Sequence, residues 1–265
     1  MKNGVRPLAL VTGASSGIGA SLARELAKDG HDLVLVARRV EPMRALAEEL
    51  KADGADSTIM AVDLSKVGAA ASLVQDIKAR GLAIDVLINA AGLGANGPFD
   101  ASDPLRVSEM LQVNVVALTE LTRMLLPDMV AKRRGRIMLM ASTAAFQPGP
   151  QMAVYCATKA YVLSLGEAIA YELRDSGVTV TTLCPGATET EFAHLADASG
   201  AALFKGSLLP VMTASDVAQI GYRGFRANRQ VVIAGRINKI MAIVSRLSPR
   251  FASLRISNWM ISSSK

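Results

Sequence analysis

No run of the roughly 18–20 consecutive apolar residues that a membrane-spanning helix needs occurs in these 265 residues. Cysteine is scarce: Cys156 and Cys184 fit neither a disulfide framework nor a metal-ligand spacing. The two histidines, His31 and His194, stand alone and far apart, so neither a zinc site nor a Ser-His-Asp triad is proposed. His31 follows Gly30 in what reads as a helix-to-strand turn, a structural position. Aromatics make up only 4% of the chain. That suits Ala/Val/Leu/Ile packing between helices and a parallel sheet better than an all-β sandwich. No Pro/Ser-rich linker, low-complexity tract or internal repeat appears, so one domain is the economical reading. Acidic residues are missing from one end: Val217 to Lys265 holds nine Arg or Lys and no Asp or Glu. The formal net charge of +6 therefore belongs to that segment, since the rest of the chain has 20 basic against 23 acidic residues.

Half of the residues are hydrophobic, enough for a sizeable core and too many for disorder. Apolar β-type runs alternate with helical patterns along nearly the whole length. Leu8–Val11, Leu33–Val36, Ser57–Val62, Val86–Asn89, Arg136–Ala141, Val178–Cys184 and Val231–Ala234 read as strands. Continuous hydrophobicity, as in Leu33-Val34-Leu35-Val36, predicts burial on both faces. The expected fold is thus α/β: a single-domain, doubly wound, Rossmann-like parallel sheet of seven strands with helices on both faces. Ligands would bind at the carboxyl ends of its strands. Residues 1–237 form that domain, and 238–265 a basic amphipathic extension. Met1 to Val11 passes straight from a short apolar stretch into a Gly-rich turn, unlike a secretory leader. The expected location is cytoplasmic. Val107–Ala131 and Ala153–Leu173 are helical patterns apolar around more than one stripe. They predict one side on the sheet and the other against a second subunit, in a homodimer or homotetramer; loops covering that side are the alternative.

Three sets of residues carry chemistry. The first strand runs into Thr12-Gly13-Ala14-Ser15-Ser16-Gly17-Ile18-Gly19 and then a helix. Glycines let backbone approach a pyrophosphate, and the new helix offers its N–H groups and positive dipole end. At the end of the second strand stand Ala37-Arg38-Arg39, where an NAD site usually places a carboxylate for the ribose hydroxyls. Guanidinium attracts a 2′-phosphate, so NADP(H) is favoured over NAD(H). Arg39 has an alternative reading as a solvated helix-start residue. Asp63 is placed either to accept from an adenine amino group or to cap a helix beginning near Lys66. Tyr155 and Lys159 share one helical face. A nearby ammonium favours tyrosinate and pulls the phenol down toward working pH, making it a general acid for a carbonyl or base for an alcohol. Ser142 ends a buried strand, where it can bond the reacting oxygen. Asn114 sits inside a helix, a mediocre place for Asn that needs a reason.

In order and spacing, the TGASSGIG turn, Asp63-Leu64, Asn89-Ala90-Ala91-Gly92, Asn114, Ser142, Tyr155/Lys159 and Pro185-Gly186 followed by Thr188 resemble the short-chain dehydrogenase/reductase family over about residues 6–235. The resemblance implies an oxidoreductase acting on a carbonyl/alcohol pair. It makes Tyr155 the proton donor or acceptor, while Lys159 tunes it and binds the nicotinamide ribose. It gives Ser142 the task of orienting the substrate oxygen, and Asn114 that of holding a water in a proton relay to Lys159. It sets Pro185, Gly186 and Thr188 beside the nicotinamide and phosphates. Two departures stand out: Ala90 where the family often has Asn, and Ser16 where NADP-preferring relatives often have Arg or Lys. An NAD-linked dehydrogenase, a 3-oxoacyl-carrier reductase and a non-catalytic NADP(H)-binding regulator are the alternative functions.

Glu189–Leu209 falls where this family has its variable substrate loop. Its Phe192, Leu195, Leu203 and Phe204 point to a mostly apolar small-molecule substrate or to a lid packed on the core, and His194 is a weak candidate for touching substrate. The segment Asn238–Lys265 mixes Ile, Met, Leu and Trp259 with Arg246, Arg250 and Arg255. Three readings compete: a helix packed on the body or a neighbouring subunit, a basic surface touching anionic membrane, and a dock for an acidic or phosphorylated substrate carrier. The first is the plainest. Nucleic-acid binding is disfavoured because no recognition motif accompanies the basic residues.

Overall fold

Strands that are apolar on both faces must lie between two layers of helices. The computed structural model has this arrangement. It describes residues 6–192 and 211–261, without the side chains of residues 250, 252, 256 and 259–261. The main strands are β1 (Leu8–Thr12), β2 (Asp32–Ala37), β3 (Ser57–Ala61), β4 (Ile84–Asn89), β5 (Gly135–Met140) and β6 (Val178–Cys184). A two-residue pair, β7 (Thr188–Glu189) and β8 (Met212–Thr213), joins the chain on either side of residues 190–211, and β9 (Val231–Ile233) completes the main sheet. All neighbours pair in parallel, in the order β3-β2-β1-β4-β5-β6-β9. The alternation within β2 divides the core: Leu33 and Leu35 pack in one helical layer, Val34 and Val36 in the other.

The helices are α1 (Gly17–Lys28), α2 (Val40–Leu50), α3 (Ala69–Ala79), α4 (Pro104–Leu111), α5 (Leu118–Ala131), α6 (Ala153–Glu172), α7 (Ala214–Arg226), α8 (Arg236–Leu247) and α9 (Arg250–Ile261). Layer one packs α1, α2 and α7, and layer two α3, α4, α5 and α6. The pattern read as one helix over Val107–Ala131 begins earlier, at Pro104. Asp103 caps it by accepting from Leu105 N at 2.9 Å, with Pro104 in the first-turn position that tolerates proline. It is also interrupted: Gln112–Ala117 is π-helical, one wide turn containing Asn114. The boundary expected at residues 237/238 falls within the first turn of α8. Among the described residues, no helix is long and apolar enough to cross a membrane.

The sheet order reverses direction between β1 and β4, because the chain runs outward to β3 before crossing back. The loops after these two strands therefore diverge, and the crevice between them is the ligand position of doubly wound sheets.

Candidate active site

A cleft of about 640 Å³ opens along this carboxyl edge, within the range of small-molecule sites. Its floor at one end is the glycine turn between β1 and α1. Gly13 has φ +68°, and a side chain there would stand 2.8 Å from the backbone N of Ala91. At Gly19 an added Cβ would strike the carbonyl of Gly13. The turn is thus closed to any larger residue, and it holds the loops after β1 and β4 together. Thr12 Oγ1 supports the same contact, accepting from Ala91 N at 3.1 Å. No side chain caps the N-terminus of α1, so its free N–H groups are offered to the cleft that Ser15, Ser16, Gly17, Ile18 and Gly19 line.

Arg38, Arg39, Asp63 and Leu64 line the same end. Arg39 forms a two-pronged ion pair with Glu191, which also accepts from Ser16. Arg38 remains as the guanidinium beside Asp63. Burial works against the Asp63 carboxylate. Hydrogen bonds from Ser65 N (3.0 Å) and Ser65 Oγ (2.8 Å), with the charges of Arg38 and Lys66, outweigh burial and hold its proton affinity below the ordinary value. Asp63 braces the turn before α3, which starts at Ala69 behind Gly68 rather than near Lys66.

At the inner end, Tyr155 and Lys159 project from the first turns of α6. Ser142, at the end of β5, hydrogen-bonds the Tyr155 hydroxyl. Its Oγ is aimed by accepting from Ala144 N (3.1 Å) and donating to Pro185 O (3.4 Å). Lys159 Nζ lies 5.6 Å from the centre of the Tyr155 ring and donates to Met140 O at 2.8 Å. Burial pushes the Tyr155 phenol up, against the pull of the Ser142 bond, and drops Lys159 from 10.5 to about 8. The expected lowering of the phenol by the ammonium is thus overturned in this structure. Desolvation is the largest influence on each of the two groups.

Asn114 is fully buried and spends its amide on neighbours. Oδ1 accepts from Leu93 N (2.8 Å), while Nδ2 donates to Leu93 O (2.9 Å) and Thr158 Oγ1 (3.1 Å). Its side chain therefore braces the segment after β4 against α6 and does not line the cleft. A Cβ on Gly92 would lie 3.4 Å from Lys159 Nζ, so the braced segment passes directly over the ammonium. This is the reason for Asn within the π turn.

The side chain of Asn89, expected beside the cofactor, is not among those lining the cleft. It is buried and turned away from the cleft, its Nδ2 donating to Thr122 Oγ1 (3.0 Å) and Leu118 O (3.4 Å) of α5. Strand alternation sends it into the helical layer. Ala90, Gly92, Pro185, Gly186 and Thr188 do line the cleft. So do residues that sequence reasoning missed. Glu191 carried no local signal, because its partner lies 152 positions away. Asn238, Met241, Ala242 and Ser245 of α8 had only the hydrophobic pattern of the last segment to mark them. The inner end is mostly apolar, with Leu93, Phe146, Met152 and Phe192, whose ring is 5.3 Å from that of Tyr155, beside the polar Thr143 and Gln147. His194, Leu195, Leu203 and Phe204 lie outside the described residues. His31 is structural as read: Nδ1 faces Leu26 O at 3.2 Å, and burial lowers its proton affinity. Among the described residues no cluster could hold a metal ion.

The residues present fit a dinucleotide: an uncapped helix start, a glycine turn closed to side chains, and guanidinium at the outer end. Comparison with known proteins agrees. The sequence pattern of the short chain dehydrogenases matches residues 7–199. A short chain dehydrogenase of Pseudocercospora fijiensis is 35% identical over 192 residues, 72% of this chain and 62% of that protein. The ketoacyl reductase HetN of Nostoc is 35% identical over 67% of this chain and 62% of its own length. Alignment thus spans under two thirds of either relative. Among solved structures, a short-chain dehydrogenase from Sphingobium yanoikuyae in complex with NADPH superposes with a TM-score of 0.80 at 32% identity, covering 89% of this chain and 92% of that one.

Proposed function

The chain belongs to the short-chain dehydrogenase family, and on that premise we propose that it is an NADP(H)-dependent oxidoreductase interconverting a carbonyl and an alcohol on an apolar small molecule. The observation that carries this reading is the Ser142–Tyr155–Lys159 cluster at the inner end of a nucleotide-sized cleft. When bound, the nicotinamide supplies a hydride to the carbonyl carbon or accepts one from the carbinol carbon. The chain handles the proton and the geometry. Ser142 Oγ holds the substrate oxygen against the Tyr155 hydroxyl, which donates its proton as the carbonyl becomes an alcohol and takes it back in the reverse direction. Burial keeps the phenol protonated, the state that a carbonyl reduction needs. Lys159 supplies positive charge beneath the ring and is positioned to meet the nicotinamide ribose. Asn114 acts as a positioning residue through Leu93 and Thr158.

The preference for NADP(H) over NAD(H) rests on Arg38, because Arg39 is already paired with Glu191. Gly13, the Ser15–Gly19 turn, Asp63-Leu64, Ala90, Gly92, Pro185, Gly186 and Thr188 would complete the cofactor contacts. A second reading, reduction of a carrier-bound 3-oxoacyl chain, draws on the likeness to a ketoacyl reductase and on the apolar lining. Exposed Leu111, Val116 and Tyr161 support a second-subunit face along α4–α6, in a homodimer or homotetramer. NADPH oxidation across aldehydes, ketones and diketones tests the activity. Wild type should turn over some of them, and Tyr155→Phe should lose at least about 100-fold in kcat while still binding NADPH. If both proteins bind NADPH and are equally inert, the regulator reading replaces this one.

A further inference from the structure

Helix α8 has two working faces. Its inner one packs on the body and lines the cleft: Asn238 and Ala242 are buried, and Ser245 Oγ donates to Phe146 O at 3.0 Å. Its outer one is apolar and exposed. At 100° per residue, Ile237, Ile240, Ile243, Val244 and Leu247 fall within an arc of about 120° opposite the buried side. Ile240 is 61% exposed and Leu247 82%. The apolar exposure continues into α9 at Phe251, 68% exposed, and Leu254. A soluble protein seldom leaves so many large apolar side chains contiguous without a partner. Beside them stand exposed Arg236, Lys239 and Arg255, while Arg246 is paired with Glu167 at 3.4 Å, and no carboxylate follows Asp216 anywhere in the sequence.

We infer that the outer face of α8 and α9 docks on the surface of an anionic lipid bilayer. Alternating cations and large apolar residues are the chemistry of an interfacial helix, whose side chains enter the acyl boundary while its charges meet headgroup phosphates. Charge decides against a second copy of this chain as the occupant. A two-fold contact sets the same patch against itself, and here that brings cation to cation with no acid in the segment to offset it. Length decides against spanning, because α8 and α9 have 12 residues each. The docked helix is also a wall of the cleft, so its surface lies beside the apolar end where substrate enters.

The test is co-sedimentation of the full-length protein with phosphatidylcholine vesicles, with and without phosphatidylglycerol. Wild type should pellet with the anionic vesicles and not the neutral ones, and added salt should weaken the binding. Ile240→Asp/Leu247→Asp and Lys239→Glu/Arg255→Glu should each lower the bound fraction about ten-fold. Thermal midpoints and NADPH binding of the variants should match wild type, since none of the four residues lines the cleft. Leu247→Ser serves if the double aspartate variant does not fold. The proposal is overturned if wild type stays in solution with anionic vesicles. It is overturned if only the charge variant loses binding, which would mark a purely electrostatic dock for an acidic protein. It is also overturned if the apolar variant halves the mass measured by light scattering while vesicle binding is absent, which would make the face a contact between copies.

Discussion

Replacing Lys159 by methionine should separate stability from activity, and in opposite directions. Lys159 is 3% exposed, and burial lowers its pKa from 10.5 to about 8. At 1.36 kcal/mol per tenfold change in proton affinity, the charged side chain costs the folded state about 3 kcal/mol below pH 8. Methionine fills a similar volume without the charge but gives up the 2.8 Å bond to Met140 O, which contributes about 1 kcal/mol. The variant should therefore be the more stable by about 2 kcal/mol at neutral pH. The unfolded chain holds the extra proton only between pH 8 and 10.5. The handicap of the wild type is thus complete below that window, shrinks through it and is gone above, where the variant becomes the weaker by about 1 kcal/mol. Urea unfolding of both proteins at a series of pH values, with a common slope, measures the difference directly. Turnover should fall by about 100-fold or more at every pH. A variant less stable at neutral pH, or one whose advantage ignores pH, would refute burial as the cause of the shift.

Arg38→Asp should lower kcat/KM for NADPH relative to NADH by about tenfold or more, read from initial rates with each cofactor; an unchanged ratio would remove Arg38 from the phosphate site. Gly166 in α6 faces β6 so closely that an added Cβ would overlap Thr182 Oγ1. Gly166→Ala should destabilise the fold by about 1–3 kcal/mol. Adding Thr182→Ala should recover most of that, because it removes both the clash and a buried hydroxyl with no partner. A double variant no better than the single one in thermal unfolding would place the strain elsewhere.

The sheet was legible because its signal is local: Leu33 to Val36 reads as a doubly buried strand without knowledge of any neighbour, and the structure buries all four residues. The glycine turn was legible for the same reason, its conformation being set by the residues within it. Tyr155 and Lys159 were recognisable as an i, i+4 pair. Their proton affinities were not, since burial depends on Phe192, Met152 and the loops after β4 and β5 folding over them. The direction of the Asn89 side chain was not legible, because it depends on Thr122, 33 residues later. The last segment left three readings open. A parallel β9 delivers the chain to the carboxyl edge, so the helix that follows begins at the cleft, and no local pattern carries that information.

The absent side chain at Gly186 matters beyond the space it saves. A Cβ there would collide with the amide of Asn238, which is itself tied to Ala234 O at 2.6 Å. The first turn of α8 is therefore keyed into the segment after β6 that lines the cleft. A ligand of the outer face that shifted the seating of α8 would change the affinity for nucleotide only if the nucleotide also distinguished the two seatings. In that case thermodynamic reciprocity requires the nucleotide to change the affinity of that ligand by the same factor. Gly186 and Asn238 are the contact through which such a coupling would pass.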